Sequence, residues 1–267
     1  MEQKIMGIVN LTDDSYFSRS RCLDSNGDIA LAAKKSVEKV GKMLEEGASI
    51  IDVGACSTRP GSEPVGQKEE WRRLEPALYS IKEKYPDVRI SVDTYWSSVI
   101  RKTYDLIGDF IANDISAGED DPDMLPLVAD LGLEYVAMHK RGNSKTMTSL
   151  CDYDDVTQAV LEYFREFASK ASLLGIKNWI LDPGFGFAKT IDQNYQLLRE
   201  LDSFQEFNRP ILVGISRKSM IYKYFGIGPE DSLPATQVLH YYAKEKGASI
   251  FRVHDVAEAA RTLSLPI

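Results

Sequence analysis

The sequence has little cysteine: Cys22, Cys56 and Cys151 lie far apart, with no Cys-x-x-Cys pair and no zinc-ligand spacing. An odd, scattered set excludes a disulfide framework and a structural zinc site, and it fits a reducing compartment. No stretch approaches the roughly 20 apolar residues that span a bilayer. Met1 to Val9 lacks the apolar core of a secretory leader. No membrane association is expected, and the cytoplasm is the expected location. Positive charge is also scarce, since 32 Lys and Arg stand against 40 Asp and Glu, a formal net charge of −8. Such a chain repels phosphate polymers as a whole, and no run of basic residues offers a footprint for nucleic acid. A Pro/Gly/Ser-rich linker is missing too, and no shift in composition divides the chain.

What is present points to a substantial core. Hydrophobic residues make up 43% of the 267 positions and charged residues 27%, too apolar a mixture for disorder. Short β-rich runs alternate with segments of helical period, the pattern of parallel strands covered by helices. The expected strands are Met6 to Asn10, Ile50 to Gly54, Ile90 to Asp93, Phe110 to Asn113, Tyr135 to His139, Trp179 to Asp182, Ile211 to Gly214 and Ile250 to Val253. Most are unbroken apolar runs, as burial on both faces requires. Ile29, Ala33, Val37, Val40 and Leu44 form one helical stripe, and Val156, Val160, Phe164, Phe167, Ala171 and Leu174 form another. Gly47, Gly132, Gly175 and Gly247 each precede a strand, where a helix must end and glycine takes the left-handed conformation cheaply. An open doubly wound sheet shares this alternation. Eight units in a chain of this length favour an α/β fold of the (β/α)8 TIM-barrel type, as a single domain over residues 1–267.

In such a barrel the active site forms at the C-terminal ends of the strands. Asn10 ends the first strand, Asp52 lies at the end of the second before Ser57 to Gly61, and Asp93 ends the third. Asn113-Asp114 and His139 end the next two, and Asp182-Pro183-Gly184 the sixth. The last two lead into Ser216-Arg217-Lys218-Ser219 and into Arg252 with His254-Asp255. Polar residues often begin where a strand ends, but eight such ends define one rim. It divides chemically: Asp93, Asn113 and Asp182 stand on central strands, and Arg59, Arg217, Lys218, Arg252 and His254 on the flanks. Buried carboxylates and an amide suit a flat heterocycle rich in N–H donors, such as a pteridine or purine, because an unpaired buried polar edge costs about 1–3 kcal/mol. Clustered Arg and His before a helix suit an anion, phosphate above all.

Ordered motifs carry a resemblance. Met6-Gly7-Ile8-Val9-Asn10-Leu11-Thr12 with Asp14-Ser15, then Ser57-Thr58-Arg59-Pro60-Gly61, Ser91-Val92-Asp93-Thr94 and Asn113-Asp114-Ile115-Ser116 come first. Leu181-Asp182-Pro183-Gly184-Phe185-Gly186-Phe187, Ser216-Arg217-Lys218-Ser219 and Arg252-Val253-His254-Asp255 follow. In this order, from Met6 to His254, they resemble the dihydropteroate synthases. The resemblance implies a transferase that joins (7,8-dihydropterin-6-yl)methyl diphosphate to 4-aminobenzoate in folate biosynthesis, with Mg²⁺, as a homodimer and a sulfonamide target. It assigns Asp93, Asn113, Asp182, Lys218 and Arg252 to the pterin, with Asp93, Asp182, Lys218 and Arg252 as the catalytic set. Asn10, Arg252 and His254 go to the diphosphate, with Asn10 also on the metal. Thr58, Arg59, Pro60, Phe187, Lys218 and Ser219 go to 4-aminobenzoate. The implied chemistry is departure of diphosphate to leave a delocalised pterin cation, followed by attack of the amine. Asp93 and Asp182 then stabilise ring charge and do not act as nucleophiles.

Several residues depart from the family's pattern: Asp13 replaces a usual proline, Cys56 a usual glutamate and Ala188 a usual glycine, all expected to be tolerated. The first loop has Ser18-Arg19 where many members place an acid, which leaves Asp13 or Asp14 as candidate substitutes. His139 and Asp52 are expected to support the site from behind, His240 to be structural, Cys56 to be a packed thiol and Asp28 to cap the first helix. Two alternatives remain at this level, a catalytically silent pterin-binding paralogue and a folate-dependent methyltransferase. The methyltransferase would share Asp93, Asn113 and Asp182 but would not need Ser216-Arg217-Lys218 or Arg252-Val253-His254, whereas the paralogue would be disabled by the altered first loop.

Overall fold

Eight apolar runs become strands in the computed structural model, which describes residues 3–12, 22, 28–56 and 65–266. They are β1 (Lys4–Asn10), β2 (Ile50–Gly54), β3 (Ile90–Asp93), β4 (Ile111–Asp114), β5 (Glu134–Met138), β6 (Trp179–Asp182), β7 (Leu212–Val213) and β8 (Ile250–Val253). Between and after them lie α1 (Ile29–Glu45), α2 (Gln67–Lys84), α3 (Ser97–Ile107), α4 (Met124–Leu131), α5 (Val156–Leu174), α6 (Ile191–Arg199), α7 (Ser219–Phe225), α8 (Leu233–Glu245) and α9 (Val256–Leu263). All strand pairs are parallel, in the order β6-β5-β4-β3-β2-β1-β8-β7. The two ends of that order meet where Leu181 bridges Ile211 and donates its N–H to the Pro210 carbonyl at 2.9 Å. The sheet therefore curls into the expected (β/α)8 barrel, with a single bridge joining β6 to the β7 side. Some boundaries shift: β4 and β5 are displaced by one residue from expectation, leaving His139 just past its strand, and β7 keeps only two residues.

Alternation along each strand decides what fills the barrel. Met6, Ile50, Ile111, Val136, Ile180, Leu212 and Ile250, one from each of seven strands, form an apolar cluster separate from the main core. This layer plugs the interior. Two residues further along the same strands stand Ile8, Asp52, Asn113, Met138, Asp182, Gly214 and Arg252. The strand period of two returns them to the same inner face, one layer nearer the C-terminal ends. A polar layer thus rests on an apolar one.

The intervening strand residues, among them Ile51, Val53, Val92, Ala112, Tyr135, Leu181 and Phe251, face the helices in the large core. On α1, Ala33 and Val40 are buried, while Ile29, Val37 and Leu44 pack at the edge of that core. Asp28 caps this helix by accepting the Leu31 N–H at 3.0 Å. The α5 stripe is buried from Val156 to Ala171, and only its last member, Leu174, is exposed. Phe164, fully buried there against Trp179, contributes about 1.5–3 kcal/mol. Gly47, Gly132, Gly175 and Gly247 all have positive φ, and Gly132 and Gly175 are left-handed C-caps. No helix among the described residues is long and apolar enough to cross a membrane.

Candidate active site

Above the apolar plug lies a cavity of about 140 Å³. Asp93, Asn113, Asp182, Lys218 and Arg252 line it, together with Asn10, Ser216, Ser219 and His254 and the apolar groups of Ile8, Ile115, Met138, Met147 and Phe187. Every described residue expected to touch pterin, diphosphate or 4-aminobenzoate is therefore on one surface. Thr58, Arg59 and Pro60 lie outside the described residues, as do Asp13, Asp14, Ser18 and Arg19.

Beneath the lining, Asp52 organises the polar layer. Its carboxylate is fully buried and accepts hydrogen bonds from Ser91 Oγ at 2.6 Å, Asn113 Nδ2 at 3.1 Å and Arg252 Nε at 2.7 Å. Arg252 also donates through Nη2 to Asp93 at 2.8 Å. Burial works against the Arg252 charge, yet Asp52 and Asp93 hold its pKa above the ordinary value, so it stays a cation. Burial raises Asp93, an effect offset by Arg252 and reinforced by Asp52, Asp114 and Asp182. Asp182 is likewise raised by burial, against Lys218, the Gly184 N–H, Arg252 and Lys189. Lys218 is pulled down to about 8 by burial, with Asp182 opposing; its Nζ donates to the Phe185 carbonyl and lies 4.8 Å from the Phe187 ring centre.

The expected cationic half is redistributed. Arg217 does not offer a free fork to an anion: it donates to Asp255 at 2.7 and 2.9 Å and to the carbonyls of Pro229 and Glu230 at 2.9 and 2.8 Å. Its guanidinium ties the loop before α7 to the start of α9 and the segment ahead of α8, an arrangement that a linear motif does not reveal. His254 is held well below the ordinary histidine range by burial first, then by Lys39, Arg252, Arg217 and Lys218, so its imidazole is neutral. Its Nδ1 lies 3.1 Å from Ser216 Oγ, and its backbone N–H donates to that oxygen at 3.2 Å.

Supporting residues sit behind this surface. His139 is buried, packs edge-on to Tyr163 at 4.9 Å between ring centres, and has Nδ1 3.0 Å from Lys189 Nζ. Cys56 lines the cavity with Sγ 3.9 Å from the Tyr95 hydroxyl, and burial raises its pKa, which suits a packed thiol more than a nucleophile. The sequence reading missed Lys189, buried beside the site, and Met138 and Met147 in its wall. Met138 was discoverable from strand alternation, two residues beyond the plug residue Val136; Met147 sits in a short 3₁₀ turn with no periodic signal.

The pterin binding enzyme family matches residues 6–254. The dihydropteroate synthase of Escherichia coli K12 is 40% identical over 261 residues, covering 97% of this chain and 89% of that protein. Among solved structures, the Yersinia pestis dihydropteroate synthase in a sulfonamide drug complex aligns with a TM-score of 0.89 at 33% identity, over 98% of this chain and 92% of that one. The Xanthomonas albilineans dihydropteroate synthase with 4-aminobenzoic acid aligns with a TM-score of 0.87 at 34% identity, over 98% and 91%. Sequence, barrel and cavity agree, and the chain belongs to the pterin-binding enzymes, among the dihydropteroate synthases.

Proposed function

We propose that this transferase joins (7,8-dihydropterin-6-yl)methyl diphosphate to 4-aminobenzoate, giving 7,8-dihydropteroate and diphosphate in folate biosynthesis. The observation that carries the reading is one cavity in which Asp93, Asn113 and Asp182 share a surface with Lys218, Arg252, His254 and Asn10. Its carboxylates accept the N–H groups of a pterin edge, and the Asn113 amide serves a donor or an acceptor. As diphosphate leaves, positive charge grows on the ring, and fixed carboxylates in a desolvated cavity stabilise it more than water would. Arg252, held at two donors by Asp52 and Asp93, presents its remaining donors and flat face to the substrate. Neutral His254, oriented by Ser216, gives the diphosphate a hydrogen bond. Phe187 and Ser219 receive the aminobenzoate, with Thr58, Arg59 and Pro60 assigned to it by family.

Mg²⁺ fits this site as an ion that arrives with the substrate. No group of three or more His, Cys, Asp or Glu side chains among the described residues is placed to hold a metal. Asn10 supplies one hard amide oxygen at the cavity, and substrate phosphates complete such a shell more often than protein does. When bound, the ion neutralises charge developing on the leaving diphosphate.

The reading extends to a single domain, a cytoplasmic location and a homodimer. Among the described residues Cys22, Cys56 and Cys151 form no disulfide, as a reducing compartment favours. Tyr224, Phe225 and Val238 on α7 and α8 are 61%, 55% and 68% exposed, an apolar surface suited to a second copy. Incubation with pterin diphosphate, 4-aminobenzoate and Mg²⁺ is expected to yield equal amounts of dihydropteroate and diphosphate. Folded protein that releases neither would refute the reaction.

A further inference from the structure

Lys189 is 8% exposed and takes no part in the reaction described above. Its Nζ lies 3.0 Å from the Gly184 carbonyl, 3.0 Å from the Phe187 carbonyl and 3.0 Å from His139 Nδ1. An ammonium has three N–H donors, and here each has an acceptor. With Lys189 charged, the ammonium donates to Nδ1 and the imidazole proton is on Nε2. Burying a cation costs several kcal/mol even after relaxation, and an apolar side chain would fill the same space without that cost. The charge therefore calls for a functional account.

The three acceptors identify the part that it holds. Gly184 donates its N–H to Asp182 Oδ1 at 2.8 Å, and Phe187 donates its N–H to the Gly184 carbonyl at 3.1 Å. Gly184 has a φ of +73°, and a Cβ there would lie 1.9 Å from the His139 carbonyl, so the turn is pressed against the end of β5. Lys189 thus ties together a turn that begins at Asp182 and ends at Phe187, both of which line the cavity.

We propose that Lys189 is a positioning residue for the reaction: acting through His139 and the 184–187 backbone, its ammonium sets the Asp182 carboxylate and the Phe187 ring, and adds its charge to those of Lys218 and Arg252 beside Asp182. This rests on the functional reading above. The charges acting on Asp182 come from Lys218, Arg252 and Lys189 as cations, with Asp93 as a neighbouring carboxylate. Asp182, Lys218, Arg141, Cys151 and His139 in turn face Lys189. Burial draws Lys189 down to about 7, so below neutrality it carries its charge.

Two variants separate position from charge. Lys189→Met removes both, whereas His139→Leu removes one acceptor and leaves the ammonium. Affinities for 7,8-dihydropterin lacking the diphosphate, and for inorganic diphosphate, are measured beside the pH profile of kcat/KM for the pterin substrate. Lys189→Met is expected to lose about tenfold or more in dihydropterin affinity, keep its diphosphate affinity, and move the acid limb upward by about one pH unit. His139→Leu is expected to weaken dihydropterin binding with the limb in place. Equal losses for both ligands, or a lower rate with an unmoved limb in Lys189→Met, would overturn the proposal. Should Lys189→Met not fold, the dihydropterin-against-diphosphate split in His139→Leu decides alone. Wild-type protein that binds dihydropterin but makes no dihydropteroate refutes the proposed reaction and leaves the binding comparison to judge Lys189.

Discussion

Arg252 on β8 donates to Asp93 on β3 at 2.8 Å, although two other strands, β1 and β2, separate them in the sheet. The bond crosses the barrel interior and, with Asp52 completing the set from below, makes one guanidinium serve carboxylates on both β2 and β3. Removing it strands two carboxylates. Arg252→Ala is expected to lower stability by about 3–5 kcal/mol, the cost of breaking a buried pair, measurable by urea unfolding. It should also weaken diphosphate binding by roughly tenfold to a hundredfold, the loss of one charge-assisted hydrogen bond. Unchanged diphosphate affinity would remove Arg252 from that role.

Asp182 is raised by burial, as is Asp93, and a raised carboxyl is ionised only above its elevated pKa. Activity that needs both carboxylates should therefore fall as pH drops through a range above the ordinary carboxylate value near 4. Asp182→Asn is expected to weaken pterin binding by roughly tenfold or more, because an amide replaces a charged acceptor. Calorimetry of a dihydropterin titration checks this, and equal affinity in the two proteins would exclude the contact.

His240, in α8, is fully buried, and neither ring nitrogen has a hydrogen-bond partner among the described residues. Burial, opposed by Asp255, holds its pKa down at about 4. Between that value and the unfolded value near 6.5, the unfolded chain binds a proton that the folded chain refuses, so stability falls as pH falls through this window. His240→Leu is expected to flatten that fall and to add about 1–2 kcal/mol at pH 5, since the unpaired polar atoms disappear. Urea midpoints at pH 5 and pH 8 that shift in parallel for both proteins would contradict it.

Ala188 has a φ of 49°, a left-handed conformation that costs a residue with Cβ roughly 1–2 kcal/mol. The family's usual glycine would relieve that strain. Glycine gains extra freedom when unfolded, worth about 0.4–1 kcal/mol, so Ala188→Gly should stabilise by up to about 1 kcal/mol. A lower thermal midpoint would show that Ala188 packing outweighs the strain.

Sulfonamides mimic 4-aminobenzoate, and the pocket assigned to it includes Phe187 and Ser219. Competitive inhibition against 4-aminobenzoate, but not against the pterin substrate, is the expected kinetic pattern. Inhibition unaffected by 4-aminobenzoate would place the drug elsewhere.

Sequence by itself determined the parts of this protein that are local. Strand and helix periods reach only from one residue to its near neighbours, which is why the eight runs and the caps at Asp28, Gly132 and Gly175 were legible. Asp93, Asn113, Asp182, Lys218 and Arg252 could be grouped because a barrel sends every strand's end to one rim, and ordered motifs named the family. Tertiary structure decided which charges are available at that rim. Arg217 and Arg252 are both arginines at strand ends, yet one is bound to Asp255 and loop carbonyls while the other meets Asp52, 200 residues away in the chain. Lys189 reads as an ordinary lysine before a helix, and only folding surrounds it with two carbonyls and His139. The physical reason is that a buried charge takes its state from whichever groups replace water around it, and those groups come from distant strands.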